Sequence, residues 1–142
     1  MSKFWIIVAD SCKARFFFAP HLGGTLNELG NLLHLEGRLH DRDTNSDRPG
    51  NISGGHGEGD HTFAPSTERK QHEIALFAKQ IAERIENGRA DHEFDKLILV
   101  APPAVLGVLR DALNDRLRDL IYESLAKNLI MAEATEIHAH IF

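Results

Sequence analysis

The sequence predicts a single mixed α/β domain, in which three antiparallel strands are extended by strand–helix–strand crossovers. Three observations predict it. Short runs rich in aromatic and β-branched residues fill the first third of the chain. An apolar helical period opens after a long glycine-rich stretch, and a non-alternating apolar run lies between two helical patterns. The 142 residues fit one domain of common size. With 42% hydrophobic and 26% charged residues the composition is that of an ordinary soluble globular protein. No repeat or linker divides residues 1–142.

Phe4-Trp5-Ile6-Ile7-Val8-Ala9 suits a buried, pleated strand. Asp10-Ser11-Cys12-Lys13 is a compact polar turn, with Asp10 expected to bond its own backbone. Ala14 to Ala19 forms the second strand of a hairpin, and Pro20 ends it by removing a donor. His21 to Thr25 is a second turn, and Leu26 to His34 alternates loosely as a third strand. Between 36 and 65 the periodicity stops. Six of the eleven glycines fall there, with only Leu39, Ile52, Phe63 and Ala64 apolar. A loop of that length inside a domain is uncommon, and is usually functional or disordered.

Ile74, Phe77, Ala78, Ile81, Ala82 and Ile85 then share one helical face. Ser66 or Thr67 is the expected cap, Glu68 suits the first turn, and Asn87-Gly88 is the expected stop. Leu97 to Ala101 reads as a strand buried on both faces. Pro102-Pro103 opens a second helix, whose stripe is Val105, Leu106, Leu109, Ala112, Leu113 and Leu117. Leu120 to Leu125 is the last strand and Ala132 to His140 a terminal helix. The order β-β-β-loop-α-β-α-β-α in one mixed sheet is ribonuclease H-like in outline.

Composition narrows the chemistry. Sixteen Lys and Arg against 21 Asp and Glu give −5, which argues against a broad nucleic-acid-binding surface while leaving room for a local basic patch. The single Cys12 excludes an internal disulfide framework and a four-cysteine zinc site. The longest uncharged stretch, Leu97 to Leu109, has 13 residues and two prolines, too short to span a bilayer. After Met1-Ser2-Lys3, Asp10 interrupts the apolar run sooner than a secretory segment would allow. A cytoplasmic protein with no membrane partner is expected.

A two-metal nuclease needs converging carboxylates. Asp10 and Glu28 are the candidates on the first and third strands, whereas the fourth ends in Ala101-Pro102-Pro103. The turn role for Asp10 is the better reading. Cys12 beside Lys13 has no nucleophile signature around it, and no G-x-S-x-G elbow occurs. His40, Asp41, Asp43, His56, Asp60 and His61 are metal-ligand types crowded into the loop, but their spacing matches no motif. His40, Asp41 and His61 therefore stand as weak metal candidates, and no cofactor is expected. His138 and His140 diverge on a helix. Arg38, Arg42 and Arg48 suit phosphate or RNA, although Glu36, Asp41, Asp43 and Asp47 offset their charge. Gly54-Gly55-His56-Gly57-Glu58-Gly59 is neither a Walker A loop nor a dinucleotide fingerprint, and leaves generic anion binding by backbone amides.

Several segments together resemble the host attachment protein family of bacteria. They are Ile7-Val8-Ala9-Asp10 with Ala14-Arg15-Phe16-Phe17, Glu36-Gly37-Arg38-Leu39-His40-Asp41-Arg42-Asp43, and Ser46-Asp47-Arg48-Pro49-Gly50. The likeness continues in His72-Glu73, Phe77-Ala78, Ile81-Ala82-Glu83-Arg84, Phe94-Asp95-Lys96-Leu97, Val100-Ala101-Pro102-Pro103 and Leu106-Gly107-Val108-Leu109-Arg110. That family is similar to the middle, catalytic domain of archaeo-eukaryotic peptide-chain release factors, which implies a ribonuclease H-like sheet. In those factors a loop before the long helix carries Gly-Gly-Gln and promotes peptidyl-tRNA hydrolysis. Gly54 and Gly55 would match the glycines, and His56 stands in place of glutamine, about ten residues before the expected helix cap. A backbone N–H at position 56 still suits an oxyanion.

The resemblance thus implies a ribosome- or RNA-associated module, in ribosome rescue for instance, without room for the other release-factor domains. The alternative is a non-catalytic cytoplasmic binding protein that affects host attachment or a stress response indirectly, or a metal-binding loop protein. A homo-oligomer is open in each case.

Overall fold

The computed structural model describes residues 2–34 and 58–142, with side chains from Arg69 onward in the second stretch. The described elements are β1 (Phe4–Ala9), β2 (Lys13–Ala19), β3 (Asn27–Leu33), α1 (Glu58–Ala90), β4 (Lys96–Ala101), α2 (Pro103–Ala112), α3 (Asp115–Asp119), β5 (Ile121–Ala126) and α4 (Ala134–Ile141). One five-stranded sheet runs in the order β3-β2-β1-β4-β5. β2 pairs antiparallel with both β1 and β3, whereas β4 pairs parallel with both β1 and β5. The fold is therefore mixed α/β, and the strand expectations hold to within one residue at either end.

β1 occupies the middle of the sheet because its sequence has no polar side. Side chains alternate across a strand, so Trp5, Ile7 and Ala9 enter one core, and Phe4, Ile6 and Val8 the other. β4 divides likewise, with Leu97, Leu99 and Ala101 on the first face and Ile98 and Val100 on the second. The first face is covered by Phe77, Ala78, Ile81, Ala82 and Ile85 of α1, with Val105 and Leu109 of α2 and Leu117 of α3. The second is covered by Leu129, Ile130 and, from α4, Ile137 and Ile141. Both outer strands are bulged. Leu29 is the extra residue of β3, with Gly30 beside it at φ +153°, and Tyr122 is the extra residue of β5.

The helix boundaries depart from expectation in four places, one of them the terminal helix, which runs Ala134–Ile141 rather than from Ala132 to His140. α1 begins at Glu58, inside the stretch read as loop 36–65, rather than at the Ser66 or Thr67 cap. Pro65 forfeits one backbone hydrogen bond without ending the helix.

At the other end Gly88 is no stop, since α1 continues to Ala90. Gly88 is needed for close approach: a Cβ there would fall within 3.0 Å of three carbons of the Trp5 ring. Arg84 lies over the same indole, 4.9 Å from its centroid. The stop is made by His92 at φ 59°. Its N–H donates to Arg89 O at 3.0 Å and the next, of Glu93, to Gly88 O at 2.9 Å. That is the Schellman pattern with histidine where glycine is usual.

Finally, the stripe from Val105 to Leu117 belongs to two helices. Asn114 starts the second by accepting a bond from the Leu117 N–H at 2.8 Å.

Two glycines should respond oppositely to alanine. Gly88→Ala overpacks Trp5 and should lower unfolding free energy by about 2–3 kcal/mol. Gly107→Ala, on an α2 position with no heavy atom within 4 Å of the new Cβ, should raise it by about 0.5–1 kcal/mol. Urea denaturation of both variants checks the pair.

Candidate functional site

The end of the sheet where β1 and β4 finish gathers most of the chemistry among the described residues. It starts with the turn after β1. Asp10 Oδ1 accepts the N–H groups of Cys12 at 2.8 Å and Lys13 at 2.7 Å, and the Asp10 N–H donates to Lys13 O at 2.9 Å. Asp10 is thus the turn residue its sequence context suggests, with one carboxylate oxygen bonded to two backbone N–H groups. The Cys12 sulfur lies 3.8 Å from Ser11 Oγ.

His34 follows β3 directly opposite Cys12, and its N–H donates to Cys12 O at 2.8 Å. Its ring is 2% exposed, bonds Glu73 Oε1 through Nε2 at 2.6 Å, and stacks on Phe77 with centroids 5.3 Å apart. Glu73 and Phe77 are one turn apart on α1, so a single imidazole touches both. Chemically, a carboxylate-bound imidazole is an oriented ring. The sulfur of Cys12 is bonded to the Ser11 hydroxyl rather than to that ring.

Glu28, the other carboxylate considered for a nuclease, is engaged elsewhere. It pairs in register with Phe17, which stands beside Ile6 rather than at the Asp10 end of β1. Arg15 Nε and Nη2 meet its two oxygens at 3.0 and 3.1 Å, and Arg15 Nη1 donates to Ile130 O at 2.9 Å and Ala132 O at 2.6 Å. The guanidinium also lies 5.0 Å from the Phe17 centroid. The hydrogen bond from Arg15 holds the Glu28 carboxyl below its ordinary range, opposed by burial and helped by the charges of Arg15 and Lys13. Arg15 is therefore a clamp joining β2, β3 and the β5–α4 connection. The two carboxylates do not converge.

At the opposite end of the sheet, an open cleft of about 360 Å³ is lined by Ser2, Phe4, His21, Leu22, Lys96 and Tyr122. Among the described residues no three His, Cys, Asp or Glu side chains gather as a metal site requires. His138 Nε2 bonds Gly23 O at 2.9 Å, whereas His140 Nδ1 is 3.2 Å from Lys127 Nζ, so the two rings part as expected.

Residues 5–141 match the model of a family described as proteins required for attachment to host cells. The chain belongs to that family. No curated protein matches it. No helix among the described residues is long and apolar enough to cross a membrane.

The match spans the candidate positions read from sequence. Arg38, Arg42, Arg48, Gly54, Gly55, His56, His40 and Asp41 all lie outside the described residues, as does the His61 side chain on α1. The sequence reading gave no role to Arg15, His34 or Glu73. An arginine between inward-facing alanine and phenylalanine on a strand was the one available signal for the clamp.

Two variants test the clamp. Arg15→Lys keeps the charge but loses the planar fork, and should cost about 2–3 kcal/mol of stability in denaturant titrations. Because the Glu28 pKa is lowered on folding, its contribution is complete above the ordinary value of 4.5 and is lost as pH falls through the lowered one. The stability gap between wild type and Glu28→Gln should therefore close below that pH, from at most about 1 kcal/mol given solvent screening.

Proposed function

We propose that this chain is a release-factor-like, ribosome- or RNA-associated cytoplasmic module, with peptidyl-tRNA as its substrate class. The observation that carries the reading is the start of α1. With the helix beginning at Glu58, only Gly57 separates it from Gly54-Gly55-His56. The ten-residue offset expected from the sequence disappears, and a Gly-Gly pair followed in sequence by a long helix is the order that the family resemblance implies.

The strand order β3-β2-β1-β4-β5, antiparallel in its first half and parallel in its second, further supports a ribonuclease H-like assignment. Geometry adds a third support. Ile74 to Gly88 spans about 21 Å of helix, close to the roughly 20 Å length of a six-residue strand. The fifteen residues Glu58 to His72 add about 22 Å of helix before that stretch. A helix longer than the strands it covers suits delivery of the preceding segment into a narrow site.

In this mechanism Gly54 and Gly55 let the backbone approach the ester, the N–H at His56 stabilises the oxyanion, and water is the nucleophile. Arg38, Arg42 and Arg48 meet RNA phosphate.

A second reading has its own support in the family's description and in histidine replacing glutamine. It is a binding protein without catalysis, acting on attachment indirectly from the cytoplasm.

Sedimentation of tagged protein with ribosomes at low and moderate salt separates the two. The first reading expects salt-sensitive migration with ribosomal particles. In a peptidyl-tRNA hydrolysis assay Gly55→Pro should then abolish activity while His56→Ala leaves it largely intact. Absence from all ribosomal fractions, stalled ribosomes included, would move the assignment to the second.

A further inference from the structure

We infer that the open cleft at the start of β1 and β4 binds a single nucleotide, its base against Tyr122 and its phosphate at Lys96. Four neighbouring strands meet there. His21 and Leu22 follow β2, Ser2 and Phe4 open β1, Lys96 opens β4, and Tyr122 lies in β5. Register sets Lys96 beside Phe4, so the two share the sheet face that α4 covers. The cleft is independent of the ribosomal reading, which draws on the segment before α1.

Its apolar part suits a flat ring. Phe4 is buried and meets Tyr122 edge-on, with centroids 5.3 Å apart and planes at 89°. The β5 bulge makes Tyr122 the extra residue, and half of it stays exposed. An exposed aromatic ring steadied by a second ring is a platform for stacking, and every nucleobase has a π face to offer. Leu22, also exposed, adds apolar surface from the β2 side. Its turn is preformed. The Gly24 N–H donates to His21 O at 2.9 Å, and His138 of α4 bonds Gly23 O at 2.9 Å. A wall that is already ordered costs less to bind against.

The polar part suits one anion. None of the six lining residues is acidic. Among the described residues Lys96 Nζ has no hydrogen-bond or ion-pair partner, and neither has the hydroxyl of Tyr122 or Ser2. Asp95, the carboxylate next to Lys96 in sequence, accepts the Lys3 N–H at 2.8 Å instead. An ammonium with hydroxyls nearby is the set of groups that meets phosphate. The volume of about 360 Å³ lies toward the small end of ligand clefts, which fits one nucleotide rather than a folded nucleic acid.

Tyr122 is the only tyrosine in the chain, so fluorotyrosine labelling places a single fluorine resonance at the cleft. Titrating the full chain with AMP should move that resonance saturably, and adenosine should bind at least about fivefold more weakly. Lys96→Met keeps the apolar stem and should bring AMP down to the adenosine midpoint. Tyr122→Leu, followed through the Leu22 and Lys96 amides, should weaken AMP about fivefold or more. Near-UV circular dichroism of Trp5 reports that each variant is folded. A tetranucleotide with a 5′-phosphate separates the sources: a midpoint like that of AMP supports an RNA end, and no shift supports a free nucleotide. The site is overturned if AMP gives no saturable shift, or if adenosine or inorganic phosphate alone matches it. It is equally overturned if Lys96→Met still prefers AMP to adenosine, or if Tyr122→Leu binds AMP as wild type does.

Discussion

β1 is hydrogen-bonded along both edges and covered on both faces, and neither half of the molecule closes without it. Its antiparallel edge receives β2, its parallel edge β4. A strand with no polar side needs helices or loops above and below, which is why α1, α2 and α3 lie on one face while α4 and the connection before it lie on the other. The tightest point is Trp5. Its ring meets Phe16 at 6.1 Å and Phe94 at 4.8 Å between centroids, and leaves space on α1 only for a residue without a side chain. The indole thereby sets how close the longest helix comes to the sheet.

Polar groups within this frame are used as ties between elements. The connection after β5 buries Leu129 and Ile130, and its carbonyls must then be satisfied. Arg15 does this for Ile130 and Ala132, on either side of Met131, which is left 86% exposed. Glu28 completes the guanidinium fork from the neighbouring strand. On the opposite face His34 ties β3 to α1. The sheet's two free edges are handled differently, each carrying a bulge that breaks the regular row of donors and acceptors. Those bulges turn Leu29 and Tyr122 out as the extra residues, 45% and 50% exposed.

The parts legible in the sequence are those set by local periodicity. Phe4 to Ala9, the hairpin through Asp10, and Leu97 to Ala101 were readable because alternation, turn chemistry and unbroken apolarity are each encoded within a few residues. The helix ends were less so. Gly88 looks like a stop, yet its role is a contact with Trp5, 83 positions away in sequence. The real stop uses His92 in a conformation that favours glycine, so composition gave no warning. Asn114 was hidden inside an apolar stripe that continues across two helices.

The ties were illegible for a related reason. Arg15 with Ile130, and His34 with Glu73, join residues 115 and 39 positions apart, and only the crossing of elements brings them together. For the positions between 35 and 57 the sequence offered motif and composition but no period. The family resemblance, rather than residue patterning, therefore carried the expectations there.

The end of the sheet where β1 and β4 stop is where α/β folds commonly hold ligands, and here two of its usual devices are reduced. An anion would normally be met by free N–H groups at the start of the helix following β4. Pro102 caps that helix and Pro103 opens it, which removes the donors of both. Asp10, the carboxylate best placed at the end of β1, accepts two backbone N–H groups. Among the described residues α1 also reaches that end, where Glu73 bonds the His34 ring.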